Sequence, residues 1–230
     1  MKPAPLPMVA RTLRAQRALR NARELARAPM PTLKQSMAYL LSTTRIAAND
    51  VDGHGHRLDV LGLHQAEHAV YFAETMHDSD DGVPLVYRMH LRGPHAGHMI
   101  PMASWYDEAA LPELPERIAA VAAQLAVLPA IDPEHWMLTT RVLQHRAIRV
   151  VSSTLPVRKF ALQLTVEPGD GAGPPTRAVV TAYLRARATL DAAWAVPGTP
   201  LAVVRVTYLG VPSGLGLPKQ TALLVPYREH

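Results

Sequence analysis

Cysteine is absent from the 230 residues. Disulfides, thiolate zinc sites, cysteine-ligated iron–sulfur clusters and cysteine nucleophiles are therefore excluded. Aromatic residues are scarce, 5% of the chain with only two Phe, so a base-stacking platform of several rings is hard to build. No apolar run approaches the roughly 18–20 residues of a membrane span. The start carries no apolar stretch of about 7–15 residues ahead of a small-residue cleavage site, so no secretory signal is expected. The P-loop pattern, the dinucleotide fingerprint and the G-x-S-x-G nucleophile elbow are all missing.

What is present is an ordinary globular composition, 48% hydrophobic and 19% charged. The length suits one large domain or two small ones and is ample for a buried core. Charge is unevenly distributed. Residues 1–34 hold eight Lys/Arg and one acid, Glu24, for +7, while the whole chain is +5, which leaves −2 for the rest. The sequence thus reads as a basic arm on a near-neutral body. Three prolines in residues 1–8 give an extended lead-in. From about Val9 to Ala28, Ala, Leu and Arg dominate without Pro or Gly, which predicts a helix. Helical spacing puts Ala15, Ala18, Leu19, Ala22, Leu25 and Ala26 on one face. Arg17, Arg20 and Arg27 fall opposite, with Arg23 at the edge. Pro29 and Pro31 end the stretch. The expected division is a basic helical arm over 1–31 and a single α+β domain over 32–230.

In the body, 57–68 fits a short helix. Residues 69–76 and 84–91 read as strands around an acidic turn, and 97–105 as a third strand. Residues 115–128 form the best-defined helix, with Ile118, Val121, Ala122, Leu125 and Leu128 as its apolar stripe. Residues 134–146 lean helical. The last third reads as antiparallel sheet, with strands over 147–154, 157–167, 177–187, 201–209 and 221–227. The pair 157–167 and 177–187 flanks a Gly/Pro/Asp loop and predicts a hairpin. It echoes the earlier hairpin, since each is followed by a Trp, Trp105 or Trp194. Clustered strands without regular βα alternation predict an α+β fold, a mainly antiparallel sheet with a packed helix.

Eight of the eleven histidines lie between His54 and His98. His54 and His56 form an H-x-H pair in a Gly-bearing loop, and His64 and His68 share a face if their segment is helical. His64-Gln65-Ala66-Glu67-His68 resembles the H-x-x-E-H pattern of the inverzincin metalloproteases. That resemblance implies zinc on the two His, with Glu67 activating water. The H-x-H pair resembles the strand end of amidohydrolase barrels, but those need a buried parallel strand before it. Residues 47–50, AAND, do not supply one, and no His follows His145 until His230.

In the 177–187 strand, Arg177, Tyr183, Arg185 and Arg187 share a face with Val179 and Thr181 by parity. Arg158 and Phe160 share a face of the preceding strand. Basic side chains with an aromatic suit phosphate contact and base stacking.

The leading expectation is a non-enzymatic binding or assembly protein without a cofactor. Arg17, Arg20, Arg23 and Arg27 would contact nucleic acid or a partner subunit, with Arg185 and Arg187 as second contacts. One alternative is a metal-dependent hydrolase holding zinc or another transition metal on His54, His56, His64 and His68. Another is a purely structural subunit of a homo-oligomer or larger assembly. The expected location is intracellular, and the Arg-rich, acid-poor start leaves mitochondrial targeting open.

Overall fold

The computed structural model describes residues 56–76, 84–107, 110–150, 155–169, 171, 173–211 and 217–228. The expected arm, its arginines and the boundary at residue 31 all lie outside the described residues. So does His54.

The α+β expectation is overturned. Among the described residues the fold is mainly antiparallel β, with one α-helix, α1 (Leu114–Ala122). Three strand meanders dominate. The first is β1 (His56–His64), β2 (Ala69–Met76) and β3 (Leu85–His90), extended by β4 (Met99–Pro101). The second is β7 (Trp136–Ile148), β8 (Val157–Pro168) and β9 (Thr176–Tyr183). The third is β10 (Ala188–Val196), β11 (Leu201–Leu209) and β12 (Pro218–Pro226). Two short strands, β5 (Leu125–Ala126) and β6 (Ala130–Ile131), pair with β1 and β10.

The packing follows the side-chain parity of the strands. Leu58, Val60, Val70, Phe72 and Met89 of the first sheet meet Trp194, Val203 and Ala222 of the third. On the opposite face of the third sheet, Ala202, Val204, Val206, Leu223 and Val225 meet Phe160, Leu162, Leu164 and Val166 of the β7–β9 sheet. The other face of the first sheet takes α1 through Leu114 and Ile118. The layers therefore run α1, first sheet, β10–β12 sheet, β7–β9 sheet. Strands buried on both faces carry near-continuous apolar runs, as in LAVVRVTYL of β11.

Several local expectations change for identifiable reasons. Residues 57–68 are strand β1 and a turn, not a helix, because β1 is paired on both sides, by β2 and β5. Gly62 sits at the β1 bulge with φ +149, where a Cβ would lie 2.8 Å from the Ala126 carbonyl oxygen. Only glycine lets β5 come that close. The helix expected to reach residue 128 stops at Ala122, since Leu125 and Ala126 pair with His64 and Leu63. The third-strand segment over 97–105 reduces to β4 and a 3-10 turn. Residues 134–146, expected as helix, lie almost wholly in β7, which pairs with β8 from Trp136↔Pro168 to Ile148↔Val157. That strand ends where the 147–154 strand was expected to begin. The 177–187 strand stops at Tyr183, because Leu184 has φ +61 and breaks the extended backbone. Strand β10 carries no expectation at all from the sequence. The predicted β8–β9 hairpin is present.

The expected echo of the two hairpins takes another form. Each meander has a bulge in its first strand: between Val60 and Gly62 in β1, Val142 and Gln144 in β7, Leu190 and Ala192 in β10. In β1 and β10 a two-residue strand pairs just beyond the bulge, on the outer edge. The closest internal likeness is thus β1–β3 with β10–β12, not hairpin with hairpin. Trp105 and Trp194 are not equivalent, one in a 3-10 turn and one in the core.

Candidate nucleic-acid interface

The body is not electrically uniform. Residues 136–187 hold eight Lys/Arg against two acids, for +6, whereas residues 35–135 hold five against fourteen, for −9. The near-neutral body is the sum of these two opposite regions and of residues 188–230, at +1. The positive one forms the β7–β9 sheet and the connection after it.

Cross-strand register shows which of these charges share a surface. The inward face of β8 is Phe160, Leu162, Leu164 and Val166. The outward face then carries Lys159, Ala161, Gln163, Thr165 and Glu167. On β7 these pair with Arg146, Gln144, Arg141, Thr139 and Met137. On β9, Lys159, Ala161, Gln163 and Thr165 pair with Tyr183, Thr181, Val179 and Arg177. Arg141, Arg146, Lys159 and Arg177 therefore sit on one side of a three-stranded sheet, among Thr and Gln, with Glu167 at one end. The three arginines are exposed and Lys159 is half-buried. Such a surface offers guanidinium forks and neutral hydrogen-bonding side chains to phosphate oxygens.

The sequence identified part of this face. Arg177, Val179 and Thr181 do share it and are exposed. Arg185 and Arg187 are exposed but lie beyond β9, in the connection to β10. Tyr183 is buried, with 9% of its surface accessible, and Phe160 faces the core. Neither ring offers an open stacking surface. Arg141 and Arg146 were missed as surface partners because residues 134–146 suit a helix, and Lys159 because Arg158 and Phe160 were grouped on the face of its strand instead. The run of basic residues through 136–187 was the available signal.

The histidines fall differently from the metal-site expectation. His56 and His64 end opposite ends of β1, about 25 Å apart at ~3.3 Å per strand residue, so they cannot share one ion. His56 Nδ1 donates to Glu74 Oε1 at 2.9 Å. His64 is held by Gln124 at 3.0 Å and by the Glu67 N–H at 3.3 Å. His68 is exposed in the β1–β2 turn with φ 48. The helical face that H-x-x-E-H requires is not formed there. Glu67 instead accepts from Tyr71 at 2.7 Å and Arg88 at 3.2 Å. Burial works to raise the Glu67 pKa, yet these two donors and His64 hold it below its usual value. Among the described residues no group of three or more His, Asp or Glu is placed to hold a metal ion.

Two further polar clusters lock the first sheet to the third. Buried Glu74 accepts from His56 and Tyr87, and Lys219 Nζ lies 3.5 Å away. Burial pushes its pKa up, but His56, the Lys219 charge and Tyr87 together bring it down to about 2. The same burial and the Glu74 charge push the Tyr87 hydroxyl up. In the second cluster, Asp191 accepts from Arg205, Thr207 and Gln220. Arg205 also donates to the Leu58 carbonyl at 3.1 Å, and Gln220 accepts from the Leu58 N–H at 2.7 Å. Glu74, held low, is a poor proton acceptor near neutral pH. These groups fix the sheets together.

No helix among the described residues is long and apolar enough to cross a membrane. Comparison with protein-family models, with curated proteins and with solved structures finds no match for this chain.

Proposed function

We propose that this is a non-enzymatic, intracellular nucleic-acid-binding protein. The outward face of the β7–β9 sheet makes the body's phosphate contacts, with Arg185 and Arg187 flanking it. The observation that carries this reading is the alignment of Arg141, Arg146, Lys159 and Arg177 on one face by strand register. The basic segment bearing Arg17, Arg20, Arg23 and Arg27 supplies a second contact. Without an open aromatic ring on the face, binding is led by phosphate neutralisation, so it is salt-dependent and largely indifferent to sequence.

The test is fluorescence anisotropy of the full chain with labelled single- and double-stranded DNA and RNA across a salt series. The fourfold variant Arg141→Gln, Arg146→Gln, Lys159→Gln and Arg177→Gln should bind more weakly on every sequence. Its log K versus log salt slope should be shallower by roughly one for each phosphate that is no longer neutralised. Neutralising Arg17, Arg20, Arg23 and Arg27 should have a separate, additive effect. No binding by the wild type at low salt, or unchanged binding by the sheet variant, would remove the sheet from the proposal.

A further inference from the structure

All three meanders open on a bulged strand. In two of them the outer edge of that strand is covered, β1 by β5 and β10 by β6. The third, β7, is the longest strand in the fold at 13 residues. Among the described residues nothing pairs with it opposite β8. It also carries three exposed large apolar side chains, Met137, Val142 and Leu143. An open edge of this length is a template for another strand.

We propose that the β7 edge pairs antiparallel with β7 of a second copy of this chain, about a twofold axis at Thr139. The register follows from the bulge and the charges. Before the bulge, residues 136–142 alternate without interruption. A twofold at Thr139 opposes Thr139 to its own copy, Leu138 to Thr140, Met137 to Arg141 and Trp136 to Val142. The two members of each pair then share a face, and no like charges meet. A pair centred beyond the bulge on Arg146 would set Arg146 against itself, which opposes association. The resulting six-stranded sheet would carry both basic faces on the same side. The pairing rests on the free edge, not on nucleic-acid binding, so each can fail alone.

The test uses the full chain, in sedimentation equilibrium over a wide concentration series without nucleic acid. Wild type should be a dimer. Thr139→Lys places a charge against itself on an already exposed site and should weaken the dimer by tenfold or more. Thr181→Lys, exposed on β9 of the same face, should leave the dimer intact. The absence of cysteine permits a direct readout. Thr139→Cys with oxidised glutathione should yield a disulfide-linked dimer on a non-reducing gel, and Thr181→Cys should not. A monomeric wild type throughout the series would overturn the proposal, as would equal cross-linking of the two Cys variants.

Discussion

The β10–β12 sheet and the β7–β9 sheet are built alike and buried differently. Both are antiparallel meanders with a bulge in the first strand. The β10–β12 sheet is packed on both faces, and Trp194, Val203, Val204 and Val206 have almost no accessible surface. Among the described residues the β7–β9 sheet is packed on one face only, and most of β7 is exposed on both. Burial on two faces selects an apolar sequence and leaves little room for function. Burial on one face frees alternate positions of β8 and β9, and nearly all of β7, for charge. Arg141, Arg146, Lys159 and Arg177 occupy that freedom. Stability and surface chemistry are thus assigned to different sheets of one fold.

Three substitutions grade this contrast. The largest effect is expected in the shared core. Trp194 is 1% exposed, and Arg205 lies 5.6 Å from its ring centre. Trp194→Ala should cost about 3–5 kcal/mol in urea denaturation, from the burial removed and the cavity left behind. A loss below ~1 kcal/mol would mean that the doubly covered sheet tolerates a cavity the size of an indole, against close packing.

Next is the polar lock between the first and third sheets. The Glu74 carboxyl falls from its ordinary value of 4.5 to about 2 in the folded chain. A lowered carboxyl pKa stabilises the fold at pH above the unfolded value and ceases to do so as pH falls through the folded one. Glu74→Gln should therefore be less stable than wild type by about 3 kcal/mol at neutral pH. The gap should narrow between about pH 4.5 and pH 2 and close below that. A gap that does not change with pH would show that packing, not charge, makes Glu74 matter.

The smallest effect belongs to the open face. Val179 is 63% exposed on β9. Val179→Thr keeps a β-branched strand former and should change stability by no more than about 0.5 kcal/mol. A larger loss would indicate that this face is covered in solution.

How much could be read in advance varied with burial. Strands β2, β3, β8 and β11 were legible because flanking turns and apolar alternation or apolar runs mark them. Strand β7 was not. Its sequence, WMLTTRVLQHRAI, has no sustained period of two, since neither face is buried for most of its length. Leu, Gln, Arg and Ala within it also suit a helix. Its strand state comes from pairing with β8. Strand β10 was hidden because Ala is a weak strand signal, and only its place between β6 and β11 makes ATLDAAWAV extended. The candidate site was half visible. Arg177, Val179 and Thr181 were grouped correctly, while Arg141, Arg146 and Lys159 awaited the register.

The scarcities that mark the sequence keep their force. Without cysteine the chain itself excluded thiol chemistry, and its few aromatic rings left too little material for a broad stacking surface. Local sequence also determined most of the hairpin strands, because side-chain alternation is a local property. It determined the charge sums, but not their meaning. Cross-strand pairing brings together residues distant in the chain, so only tertiary structure could place β7 beside β8 and collect its arginines with Arg177. The same pairing separated His56 from His64 by the length of a strand. It left Tyr183 on the outward side opposite Lys159, and the packing around that ring is what buries it.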